Sequence, residues 1–62
     1  MILLHQHHSG EELWIKPSAV VAVWRSEDDK YTIVDCGGGR SQFFVRELVD
    51  GIVKRVIHDN GL

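Results

Sequence analysis

Apolar positions along this chain follow two different periods. From Ile2 to Val45 they come in five short bursts, each closed by turn-forming or charged residues. Ile2 to His7 reads as a first strand, and Ser9-Gly10 then supplies turn chemistry. Leu13-Trp14-Ile15 has the β-branched and aromatic content that strands favour. Lys16-Pro17-Ser18 breaks that run, because proline has no N–H to donate and steers the preceding residue toward extended geometry. Val20 to Arg25 is a third run, ended by Ser26-Glu27-Asp28-Asp29-Lys30. Tyr31 to Cys36 is a fourth, stopped by Gly37-Gly38-Gly39, and Gln42 to Val45 is the fifth. Turns at such regular intervals predict an antiparallel meander.

After Val45 the period lengthens. Leu48, Val49, Ile52, Val53, Val56 and Ile57 recur at spacings of one, three and four, which draws one apolar stripe along a helix over about 47–58. Glu47 and Asp50 fall in its first turn and Lys54, Arg55 and His58 near its end, an order that complements the helix dipole. Asn60-Gly61 suits a C-terminal stop. Gly51 costs such a helix roughly 1 kcal/mol relative to alanine, so packing against the sheet must hold it. The expected fold is α+β, mainly β: a small antiparallel β-meander followed by one C-terminal helix, in a single domain over 1–62.

Successive side chains on a strand point to opposite faces. Leu13, Ile15, Val34, Cys36, Phe43 and Val45 therefore form the helix-packed core, while Trp14, Tyr31, Ile33 and Phe44 face away. Trp24 joins the outer set if the break at Pro17 leaves its phase in step. An antiparallel sheet can leave one face in water, but that face should then be polar. Here it is aromatic-rich. Either a curled sheet buries both sides, or Trp14, Trp24, Tyr31, Ile33 and Phe44 form an interaction surface for a protein partner or a second copy.

Composition narrows the function classes. Seven Lys+Arg against nine Asp+Glu give a net charge of −2, which argues against a dedicated nucleic-acid binder with its basic stripe. With 62 residues the core is marginal, and the single cysteine, Cys36, closes the intrachain disulfide route that small domains often use. Self-association or a partner is the remaining support, and one cysteine fits a reducing cytoplasm. No run approaches the ~20 apolar residues of a membrane span. The Met1–Leu4 start meets His5 too soon for a targeting segment.

The polar clusters carry little chemistry. His5 and His7 project to one strand face, compatible with a shared metal, and His8, Cys36 and His58 are the further donors. No Cys-x-x-Cys or His-x₃-His spacing supports a zinc site, so an exposed polar strand end is preferred and neither metal nor cofactor is expected. Cys36 has no adjacent base and reads as a structural thiol. Gly37-Gly38-Gly39-Arg40 lacks the Gly-Lys-Ser/Thr of a phosphate loop and leads into a strand, so it reads as a hairpin turn. Glu11-Glu12 and Glu27-Asp28-Asp29 lack the spaced ligands of a calcium loop. No catalytic constellation emerges.

The run Gly10-Glu11-Glu12-Leu13-Trp14-Ile15-Lys16-Pro17-Ser18-Ala19-Val20 resembles the opening of small FlbD-type flagellar proteins. Thr32-Ile33-Val34-Asp35-Cys36 is similar to their T-V-I-T-L strand, and Phe43-Phe44-Val45-Arg46-Glu47 with the following helix to their ending. The resemblance covers roughly 1–56, with Lys16 in place of the family's Asn and Leu48 in place of its Ser. It implies a non-enzymatic cytoplasmic accessory protein linked to flagellar motor function; similar short sequences also occur in phages. The expected function is thus a non-catalytic protein–protein interaction module. The alternative is a phage- or mobile-element-borne β protein that binds nucleic acid through Arg25, Arg40, Arg46 and aromatic stacking.

Overall fold

A computed structural model describes residues 1–38 and 41–59. The chain is a small α+β fold, mainly β, with five antiparallel strands in two sheets and one C-terminal helix. Strands β1 (Ile2–His5) and β2 (Glu12–Ile15) form a two-stranded ribbon, with Ile2 opposite Ile15 and Leu4 opposite Leu13. Strands β3 (Ala22–Arg25), β4 (Thr32–Asp35) and β5 (Gln42–Val45) form a three-stranded sheet in that order. Helix α1 spans Val49–Asp59.

The meander is interrupted where the sequence places its proline. Pro17–Ala19 is one 3₁₀ turn, in which Ala19 N donates to Lys16 O at 2.9 Å and Val20 N to Pro17 O at 3.2 Å. Val20 is thereby spent on the turn, so β3 begins at Ala22 rather than Val20, and β2 and β3 run on without pairing. The first strand ends at His5 rather than His7 and there gains a second partner. Beyond His5 it keeps one bond on the β2 side, Gln6 N donating to Glu11 O at 2.9 Å, and on its other edge bridges to β5: Gln6 pairs with Val45, His7 N donates to Phe44 O at 2.8 Å, and Arg46 N donates to His5 O at 2.9 Å. That bridge joins ribbon to sheet.

The turns show why particular residues stand in them. Gly10 takes φ +74°, where an added Cβ would lie 3.1 Å from the Arg46 guanidinium. Gly37 and Gly38 also hold positive φ, as a hairpin turn demands; Gly39 and Arg40 lie outside the described residues, as do Asn60 and Gly61 of the expected helix stop. The helix opens two residues later than the sequence suggests. Ile52 N bonds Leu48 O at 3.1 Å, and Glu47 precedes the helix with its carboxylate turned away to His5.

The face assignment holds. Ile15, Val34 and Val45 are buried, and Leu13, Cys36 and Phe43 pack around them. Ile2 and Leu4 of β1 and Ile52 of α1 complete the core. The helix covers this core incompletely. Ile52 is fully buried and Val49 and Val56 are half-buried, but Leu48, Val53 and Ile57 from the same apolar stripe remain exposed.

Candidate interaction surface

Cross-strand register assembles the outer face of the three-stranded sheet. Trp24 stands opposite Ile33 and Ile33 opposite Phe44, so one apolar row crosses β3, β4 and β5. The phase of Trp24 left open by Pro17 is settled by this pairing. Trp24 and Phe44 are 40% and 43% exposed, whereas Ile33 between them is half-buried. Directly opposed aromatic and β-branched side chains lie close enough to stabilise the sheet through one another. The row is therefore held in place by the same strands it decorates.

Tyr31 extends the row at its Phe44 end, with ring centroids 5.1 Å apart at 53°. His7 adds the next ring, 5.1 Å from Tyr31, and His8 the one after, 5.0 Å from His7. The bridge from β1 to β5 brings this about, because it fixes His7 beside Phe44. Sequence reading placed His7 in a possible metal cluster with His5. The structure separates them in role: the His5 ring bonds Glu47 and the His7 ring stacks on Tyr31. Among the described residues no group of three or more His, Cys, Asp or Glu could hold a metal ion. Trp14, 56% exposed, is not part of the row. It stands opposite Leu3 on the separate β1–β2 ribbon.

Beside Trp24, Tyr31 and Ile33 the β3–β4 turn raises a polar wall around an open concavity of about 620 Å³. Ser26 Oγ donates to Asp28 Oδ1 at 2.6 Å and accepts from the amides of Lys30 and Tyr31 at 3.1 and 3.2 Å. That hydroxyl, with the Lys30 amide, holds the Asp28 carboxyl below its ordinary range, so the wall is negatively charged at neutral pH. Glu27, exposed at the same turn, adds to the charge. Asp29 is occupied: it sits at φ +59° and accepts from Arg25 Nε at 2.9 Å, while Arg25 also donates to Thr32 Oγ1 at 3.0 Å.

Three arginines are engaged within the chain. Arg25 is bound as described, Arg46 Nε donates to His7 O at 3.3 Å, and Arg55 donates to Leu3 O at 2.7 Å. Arg40 lies outside the described residues. The arginines offered for nucleic-acid contact are thus partly committed to backbone and carboxylate partners. Burial, and secondarily the Asp35 charge, pushes the Cys36 thiol up, which disfavours the nucleophilic thiolate. No described helix is long and apolar enough to cross a membrane. No known protein family, curated protein or solved structure matches the chain.

Proposed function

We propose that the chain is a non-catalytic docking module whose contact face is the outer side of its sheets, with Trp24, Tyr31, Ile33 and Phe44 as one cluster and Trp14 as a flanking anchor. The observation that carries this reading is the row Trp24–Ile33–Phe44: it lies opposite the helix-packed core, and its two terminal aromatics stay open to solvent. Exposed, rigidly held aromatics are the residues that dominate protein–protein contact energies. The carboxylates of Glu27 and Asp28 beside the cluster favour as its occupant a protein with an apolar patch and a basic rim. The FlbD-type resemblance over roughly residues 1–56 supplies the biological setting of the proposal, an accessory role at the flagellar motor on its cytoplasmic side.

The test is reconstituted binding to a purified flagellar-motor component, with the double substitution Trp14→Gln and Phe44→Gln. The double variant should keep the thermal melt and circular dichroism of the parent while its affinity falls at least ~30-fold, the scale expected when two anchors of ~1–2 kcal/mol each are removed. If the variant unfolds, these side chains are core and the docking face does not exist. Undiminished binding by a folded variant would exclude the face equally well.

A further inference from the structure

We propose that two copies of the chain join along the open edge of β3, as an antiparallel β3–β3 pair centred on Val23. β3 ends the three-stranded sheet, and among the described residues no strand lies on its other side. The direction of its free hydrogen-bonding groups follows from the ladder. Ser26 N donates to Tyr31 O at 2.9 Å, so Ser26 turns its main-chain groups toward β4. In an antiparallel pair alternate residues turn to opposite edges. Trp24 therefore also faces β4, and the N–H and C=O of Arg25 and Val23 point away from it. A pair centred on Val23 lets the two copies of that residue exchange both bonds.

Side chains along the edge agree with that register. Ala22 of one copy falls opposite Trp24 of the other, a small residue beneath a large ring that is exposed in the single chain. Val21, 69% exposed, falls opposite Arg25; its N–H is turned inward to Asp35 O at 2.8 Å, so it meets the neighbour through its side chain and C=O, against the aliphatic stem of an Arg25 whose guanidinium is held by Asp29 and Thr32. No like charges meet. On the helix side of the same edge, Val21, Val53 and Ile57 line an apolar groove of about 220 Å³ between β3 and α1. Apolar surface thus flanks the edge both at the sheet's outer face and toward α1.

Natural sheets usually blunt an exposed edge with charge or proline. The other free edge, β2, has both: Glu12 lies within it and Lys16-Pro17 follows it. β3 carries a charge only at its last residue, Arg25, whose guanidinium is held by Asp29 and Thr32, and Val20 through Trp24 hold neither charge nor proline. Pairing β3 with β3 closes on a twofold axis, whereas pairing β2 with β3 would leave edges open at both ends and grow. The occupant is therefore a second copy of this chain. The proposal stands apart from the docking reading, because the groups that form it are main-chain atoms of Val23 and Arg25.

Sedimentation of the full chain from ~1 µM to ~1 mM, the range in which small interfaces titrate, should show its mass rise to twice that of one chain. Hydrogen exchange should show the Val23 and Arg25 amides protected only at the high end, with Ser26, bonded to β4, protected throughout. Val21→Lys should weaken the association at least ~10-fold by placing a charge on the edge. Phe44→Gln, aimed at the docking face, should leave it intact. A single copy over the whole range overturns the proposal, as does a dimer whose Val23 and Arg25 amides exchange freely. Should Val21→Lys fail to fold, the exchange pattern of the unaltered chain decides alone.

Discussion

At Ser26 a single hydroxyl organises a whole hairpin turn. It is nearly buried, donates to Asp28 and accepts from two successive amides, so its removal leaves three partners to find water or strain the turn. Ser26→Ala should cost about 1–2 kcal/mol. In a domain of this size that lowers the melting temperature by roughly 4–8 °C per kcal/mol, which a thermal scan will read directly. Gly10 presents the opposite case, where something is gained by having no side chain. Its positive φ and the guanidinium of Arg46 at 3.1 Å from an added methyl both oppose alanine. Gly10→Ala should destabilise by about 1–2 kcal/mol, measured the same way.

Elements differ in how far their own residues specify them. The strands were legible because alternation survives in four-residue pieces: Ile15, Val34 and Val45 go inward and Trp14 and Phe44 outward, as period two requires. The boundary errors share one cause, competition from a nearby partner. Val20 is claimed by the Pro17 turn, and Glu47 is claimed by His5 before it can join the helix. The helix stripe follows the expected period but not the expected coverage, since Leu48, Val53 and Ile57 remain exposed. Gly51 offers a test of how much of α1 depends on packing. An added methyl there meets no heavy atom within 4 Å, and the residue is exposed. Gly51→Ala should therefore stabilise the chain by close to 1 kcal/mol and raise the melting temperature. No change would mean that the helix is held wholly by its contacts.

For the whole molecule, the joining of ribbon, sheet and helix was beyond local reading, because it rests on contacts between residues about forty positions apart. His7 reaches Tyr31 and Phe44 only through the β1–β5 bridge, and nothing near His7 in sequence announces it. The same is true of the anchors of α1. Arg55 holds its middle to Leu3 O, and Glu47 holds its start to His5 by two bonds, Oε1 accepting from the amide at 2.9 Å and Oε2 from ring Nδ1 at 2.7 Å. Burial pushes the Glu47 pKa up, but the bonds from the His5 ring and amide outweigh it and hold the carboxyl below its ordinary value of 4.5. A carboxyl depressed by folding stabilises the native state fully above its unfolded pKa, and that contribution is lost as pH falls through the folded value. The clamp should thus be intact at neutral pH and weaken below about pH 4.5. Glu47→Gln, which keeps an acceptor but not the charge, should lower stability at pH 7 by about 1–2 kcal/mol. Its melting temperature should also fall less steeply than the parent's between pH 5 and acid. Parallel acid profiles for the two chains would show that the carboxylate charge does not fasten the helix to β1.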